Sequence, residues 1–234
     1  MINVEIWSDY VCPFCYIGKK EFENAVEELG LQSQVNVINR AFLLDPSTPL
    51  DSEELMLTSL QKKYGMPMAQ VKEMCDQVTA RAATVGLTYN FDTMKVANTL
   101  YAHKLVKWAA TLGKEQDLNE RLLKAYFIEG ASIGNLDVLK KLVAEVGLDD
   151  SQVENVLNNP IYSNYIEEDV LKAQQIGVRG VPLFLINDSI VISGAQPKEA
   201  FKELLLKVAT ENGLLGESSK LDIMPNACTI DGCD

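Results

Sequence analysis

Cys12 and Cys15 stand three positions apart in the stretch SDYVCPFCYIG, with Pro13 and Phe14 between them. Two thiols at that spacing can clamp a metal, form a structural bridge, or run reversible thiol–disulfide exchange. At the mouth of a helix the third use is favoured. A helix N-terminus presents unsatisfied N–H groups and a partial positive charge, and both stabilise a thiolate. Pro13 suits the first helical turn, where its missing N–H is no loss. In such settings a thiol pKa falls from about 8.5 to between about 3.5 and 7.5. Cys12 is then the attacking sulfur, and Cys15, one turn deeper, resolves the mixed disulfide.

A zinc site needs two further ligands on a similar clamp. The single histidine, His103, lies in a helical pattern far along the chain, and Cys228 and Cys233 form a C-x4-C pair near its end. A four-cysteine zinc site is conceivable, but the helix-entry proline and the strand–helix–strand setting favour redox use. No metal or organic cofactor is expected. Asp231-Gly232 is turn-forming, so Cys228 and Cys233 can bridge. They read either as a second redox pair or as two ordinary thiols. Cys75 keeps helical spacing with Val71 and Val78 and reads as a small core hydrophobe.

Other residues are open to two readings. In GVRGVPLFLIN, Pro182 opens a strand after a glycine turn, a place that tolerates the lost N–H and permits the cis form. His103 shares a stripe with Val96, Leu100, Val106 and Ala110, as a hydrogen-bonded core histidine would. Glu5 and Asp9 flank the cysteines, and a buried carboxylate there can accept the resolving thiol's proton. Asp9 also reads as a loop or capping residue, and Glu5 as facing solvent. Met56, Met66, Met68, Met74 and Met94 read as gap-filling core, or as the wall of an adaptable groove.

The elements that must position these residues follow from periodicity. INVEIW (2–7) alternates as a strand, the segment after the cysteines is a helix stopping at Gly30, and residues 35–40 form a second strand. The short crossover helix makes the two strands parallel. From about Asp51 to Asn158 the pattern is helical, with room for about five helices, one of them capped by Asp92 ahead of TMKVANTLYAHKLVKWAATLG. A further helix follows Pro160. VPLFLIN and IVISGA then make a hairpin through Asn187-Asp188-Ser189, and PKEAFKELLLKVATENG makes the last helix.

The bulk numbers suit this plan. The 234 residues, 47% of them hydrophobic with only eight prolines, describe a packed globular chain. A net charge of −12 disfavours a large nucleic-acid or anionic-membrane surface. No run of eighteen apolar residues occurs, so no membrane-spanning helix is expected. MINVEIWSDY lacks the basic and apolar regions of a secretory signal, and the expected location is cytoplasmic. There a static disulfide framework is not expected.

Taken together, SDYVCPFCYIG, ANTLYAHKLVKWA, LLKAYFIEGASIGNLDVL and GVRGVPLFLINDSIVISGAQPKEAF resemble the DsbA family of thioredoxin-fold proteins, and its FrnE-like branch in particular. The resemblance runs from Ser8 to Phe201 in family order. It implies an α/β thioredoxin fold, a central mixed sheet flanked by helices, with a large all-helical insertion. The expected organisation is 1–46 for the first thioredoxin part, 47–158 for the insertion, 159–213 for the second thioredoxin part, and 214–234 for a tail.

The same resemblance implies a thiol–disulfide oxidoreductase of reductase or isomerase type. Cys12 would be nucleophile and Cys15 resolver, supported by Pro13 and Phe14. A cis peptide before Pro182 is implied, with Val181 and Pro182 packed beside Cys12 to receive an extended substrate segment. His103 falls in the family's Asn-Thr and Ala-His pattern (Asn98, Thr99, Ala102, His103) and is a candidate for binding substrate or tuning Cys12. Some FrnE-like proteins also carry a C-terminal C-x4-C, which makes Cys228 and Cys233 a candidate secondary pair. The expected partners are disulfide-containing proteins or small disulfides and a cellular thiol donor, with glutathione a possible co-substrate. Strongly oxidising family members carry histidine where this chain has Phe14, so a less oxidising pair is expected here. Two rivals remain. One is a glutathione-dependent isomerase or transferase like the kappa-class or hydroxychromene carboxylate enzymes, which typically carry serine at the first position. The other is a redox-sensing or chaperone-like binding protein.

Overall fold

The structure is a computed structural model and describes residues 1–214. Cys228 and Cys233 lie outside the described residues. Strand β1 (Ile2–Ser8) pairs in parallel with β2 (Val35–Ala41), and helix α1 (Pro13–Glu28) connects them. Strands β3 (Leu183–Ile186) and β4 (Ile190–Ser193) form the late hairpin, and β3 runs antiparallel to β1. The sheet order is β2-β1-β3-β4. The hairpin turn places Asn187 and Asp188 at φ 46° and 54°. Asn and Asp are the non-glycine residues that best tolerate this left-handed backbone.

Between β2 and β3 come α2 (Met56–Tyr64), α3 (Met68–Ala83), α4 (Leu100–Thr111), α5 (Glu115–Phe127), α6 (Leu136–Glu145), a 3-10 turn at Asp150–Gln152, α7 (Val153–Asn158) and α8 (Pro160–Gln175). Helix α9 (Lys198–Glu211) follows β4. Two helices are better defined than periodicity allowed. Asn135 caps α6 by accepting from the N–H groups of Asp137 and Val138. Asn159 does the same for Ile161, with Pro160 as the first helical residue of α8.

One sequence expectation fails here. Asp92 does not cap a helix beginning at Thr93, because α4 starts only at Leu100. Residues 94–98 use their backbone in tertiary bonds instead. The Met56 and Val96 N–H groups donate to the Met94 and Glu54 carbonyls, and Lys95 bridges Leu55. The Tyr126 hydroxyl donates to the Lys95 carbonyl at 2.9 Å. Val96 therefore does not share a helical stripe with His103.

Two principal cores meet on α1. Phe22, Ala25 and Val26 pack with Ile2, Val4, Ile6, Phe184, Phe201 and Leu205 between the sheet and α9. Tyr16 and Ile17, from the first turns of the same helix, join the insertion's core of Leu105, Leu122, Tyr126 and Phe127. The helix that carries Cys12 and Cys15 at its start is thus held from two sides by apolar burial, the dominant favourable term in folding. A smaller core of Trp7, Ala173, Leu183 and Leu185 covers the sheet's other face and reaches Val181.

Candidate active site

Cys12 is the N-cap of α1, with Pro13 as the first helical residue. Its backbone N–H donates to the Asp9 carbonyl (3.1 Å), and its carbonyl accepts from the Cys15 N–H (3.0 Å). The loop before the helix is thereby fixed, and Cys12 is held at the helix N-terminus. The N–H groups of Phe14 and Cys15 point at the Cys12 sulfur, and the Cys15 thiol donates to it. Led by that thiol's hydrogen bond, these contacts hold the Cys12 pKa below the ordinary thiol value, although burial and the Asp9 charge push upward. Cys15 is opposite in kind. Burial first, then its donation to Cys12, drives its pKa well above the ordinary value. One turn of helix separates a thiol poised to ionise from one held protonated.

The loop before β3 closes the site. The Val181–Pro182 peptide bond is cis, and the Cys12 thiol lies 3.5 Å from the Val181 carbonyl oxygen as donor. A Cβ on Gly18 would meet the Pro182 ring at 3.0 Å and the Ala195 backbone at 3.3 Å. Glycine at this position lets the loop approach the helix. Sequence reading passed over Gly18, although glycine one turn past Cys15 on a buried helical face was a usable signal.

Cys12 is only 7% exposed, and Cys15 2%. A cavity of about 570 Å³ reaches Cys12, walled by Pro13, Phe14, Met56, Met74, Met94, Phe91, Tyr126 and Phe127 among others, with Lys63 and Arg81 also on its surface. Three of the five methionines singled out from sequence thus line this cavity, with Cys75 also on its wall. Cys75 packs with Leu57 and Val71, as its spacing indicated.

Tyr89 was also missed. Its hydroxyl donates to the Pro13 carbonyl at 2.7 Å, tying the insertion to the first turn of α1. His103 is 5% exposed and is not on the cavity wall; its Nε2 lies 3.5 Å from Oδ1 of Asp9. Asp9 is completely buried. Glu5, read from sequence as a candidate for solvent, is instead buried between Arg40 and Lys172 at 2.7 and 2.6 Å. Burial pushes its pKa up, but those hydrogen bonds and charges bring it below the usual carboxylate value. Among the described residues no group of three or more His, Cys, Asp or Glu side chains is arranged to hold a metal. No described helix is long and apolar enough to cross a membrane.

This arrangement, a two-cysteine helix entry facing a proline-opened strand on a mixed four-stranded sheet, is that of a thioredoxin-like protein. Residues 3–206 match the DSBA-like thioredoxin domain family, and the chain belongs to that family. The chain is 30% identical over 207 residues to YwbO of Bacillus subtilis, covering 87% of this chain and 96% of that protein. It is similar throughout to the crystal structure of a probable DsbA oxidoreductase from Streptomyces coelicolor, with TM-score 0.83 and 33% identity, covering 100% of this chain and 99% of that one. The cytosolic disulfide reductase DsbM from Pseudomonas aeruginosa, solved with GSH, shares the fold at TM-score 0.65 and 18% identity, over 89% of this chain and 99% of its own.

Proposed function

We propose that the protein exchanges disulfides through Cys12 and Cys15. The observation that carries this reading is the asymmetry of the pair: Cys12 caps α1 at the cavity, 3.5 Å from the Val181 carbonyl of the cis-proline loop, while Cys15 lies buried one turn deeper. Cys12 thiolate attacks a substrate disulfide and expels one sulfur as a thiolate. Cys15 then attacks Cys12, and the second substrate sulfur leaves. The dithiol is oxidised and the substrate reduced by two electrons. Running backward, the oxidised pair donates its disulfide. The favoured direction is reduction or isomerisation by a FrnE-like member working in the cytoplasm, recharged by a cellular thiol. Disulfide-containing proteins or small disulfides would meet Cys12 through the apolar cavity and the Val181–Pro182 loop.

The test is insulin-disulfide reduction with dithiothreitol as donor. Cys12→Ser is expected to abolish it, and Cys15→Ser to accumulate a mixed disulfide at Cys12. Equal activity in wild type and Cys12→Ser would sink the proposal.

A second reading, glutathione-dependent isomerisation or transfer on a small aromatic molecule, draws on the apolar cavity and on the GSH-bound fold relative. It requires tight glutathione binding and an activity that survives Cys15→Ser.

A further inference from the structure

The cavity at Cys12 grades from an open rim to a closed floor. Phe14, Leu44 and Tyr64 stand on its wall with 44%, 48% and 49% of their surface exposed, whereas Met94, Tyr126 and Phe127 are at most 1% exposed. An apolar patch left open to water beside a reactive thiol marks a binding surface. Met56, Met74 and Met94 add flexible, polarisable walls that adapt to an apolar guest. At about 570 Å³ the space suits a small molecule, since such sites run from about 300 to 1,000 Å³.

The charge on that wall runs against the rest of the chain. The protein carries 33 Asp and Glu residues and a net charge of −12, yet among the described residues no carboxylate lines the cavity. Apart from the Cys12 thiolate, its two full charges are cations, Lys63 of α2 and Arg81 of α3. Arg81 is committed: it donates to Glu21 at 2.6 Å and to the Thr84 hydroxyl at 2.7 Å. Lys63 makes no ion pair among the described residues, whereas Lys62 beside it is held by Glu54 at 2.7 Å. Asp45, the acid that feels the Lys63 charge, is bound by the Ser47 N–H and hydroxyl at 3.0 and 2.6 Å and is not on the wall. A cation in the last turn of α2 suits the helix dipole, but that does not explain a wall clear of carboxylates.

We propose that the cavity selects small apolar disulfides that carry an anionic group, and that Lys63 recognises the anion. This rests on the exchange reading above. The apolar body lies against the methionines and aromatic rings, and the disulfide meets Cys12. The anion stays at the rim beside the Lys63 ammonium, where it keeps part of its hydration and avoids the cost of full burial. Cys12 thiolate bonds to one substrate sulfur and expels the other as a thiolate. Cys15 then loses its proton and bonds to Cys12, and the second substrate sulfur leaves with the electron pair. The dithiol is oxidised by two electrons, and its two protons end on the two released thiols or in solvent.

The experiment follows oxidation of the reduced full-length protein by 4,4′-dithiodibenzoate and by its uncharged diamide. Each rate is divided by that of free dithiothreitol with the same disulfide, which removes differences in intrinsic reactivity. The wild type is expected to prefer the dibenzoate. Lys63→Met is expected to cut that preference about fivefold, the worth of a partly exposed ion pair, through slower reaction of the dibenzoate. Lys63→Glu should reverse the preference and Lys63→Arg should keep it. The gap between wild type and Lys63→Met should close as salt rises. Glutathione disulfide, anionic but without an apolar body, is expected to lag behind the dibenzoate on the same scale. A preference unchanged in Lys63→Met overturns the proposal, and so does equal slowing of both disulfides there, which marks a structural defect. A wild type that favours the diamide or glutathione disulfide overturns it as well. If insulin is reduced but neither small disulfide is consumed, the proposal fails and the exchange reading stands. If insulin too is left intact, the exchange reading itself fails.

Discussion

At the scale of single residues, the two thiols differ because Cys12 caps the helix at the cavity and Cys15 lies buried within the first turn. Phe14 contributes apolar cover but no donor: its side chain is 44% exposed and lines the cavity, while only its backbone N–H serves the Cys12 sulfur. A donor in that position would add to the thiolate's stability. Stabilising the thiolate stabilises the reduced pair, so the disulfide becomes a stronger oxidant. Phe14→His is therefore expected to lower the Cys12 pKa and make the reduction potential less negative. Each unit of pKa corresponds to about 1.4 kcal/mol, or about 30 mV for this two-electron couple. Equilibration with glutathione buffers measures the potential, and the pH dependence of iodoacetamide alkylation measures the pKa. A potential unchanged or more negative in Phe14→His would contradict the account. In the wild type, alkylation of Cys12 should reach half its limiting rate below the ordinary thiol pKa, while Cys15 stays unreactive through the same range.

At the scale of elements, α1 is held against the insertion by a charged cluster as well as by apolar packing. Glu120 of α5 accepts from Lys19 (2.5 Å), Lys20 (2.9 Å) and the Tyr16 hydroxyl (2.6 Å), all on α1. Burial pushes the Glu120 pKa up, but the charge of Lys19 and these hydrogen bonds carry it from 4.5 down to about 2. A carboxyl depressed on folding adds stability above its unfolded pKa and loses it as pH falls through the folded one. The unscreened worth of this shift is about 3 kcal/mol. Because a third of the side chain is exposed, about 1–2 kcal/mol is the reasonable expectation. Glu120→Gln should lower stability by that amount at pH 7 in urea unfolding. The gap from wild type should shrink as pH falls from about 4.5 toward 2, and a gap that widened there would count against the cluster. Elements like α1, the two parallel strands and the hairpin were legible because their apolar periodicity, Gly30 and Asn187-Asp188 are local signals. The start of α4 was not, because the bonds that keep residues 94–98 out of the helix come from Glu54, Met56 and Tyr126. The cysteine pair announced itself in eleven residues. The meeting of Asp9 with His103 joins positions far apart in the chain through a helix packing that periodicity does not specify.

At the scale of the whole molecule, one buried carboxylate joins the parts. Asp169 of α8 is 1% exposed and binds Arg40 of β2 (2.8 Å), Lys107 of α4 (2.5 Å) and the Ala41 N–H (2.8 Å). Its backbone carbonyl accepts from the Trp7 indole at 3.0 Å. The early strands, the inserted α4 and the late α8 thus share a single anion, although α8 precedes the hairpin that completes the sheet. α4 also carries His103, so the same anchor helps set where that imidazole meets Asp9 in the loop before α1. Neutralising Asp169 leaves Lys107 without its counter-charge and Arg40 with Glu5 alone. Removing one partner of a buried ion pair costs about 3–5 kcal/mol, a large share of the roughly 5–15 kcal/mol that holds a typical domain together. Asp169→Asn is expected to lose about that much in guanidinium unfolding. If the loss comes from an unpaired cation and not from missing contacts, removing that cation should recover part of it. The double variant Asp169→Leu, Lys107→Met, which keeps Arg40 on Glu5, is therefore expected to be more stable than Asp169→Asn. A double variant less stable than the single one would show that the network's geometry, and not its charge balance, holds β2, α4 and α8 together.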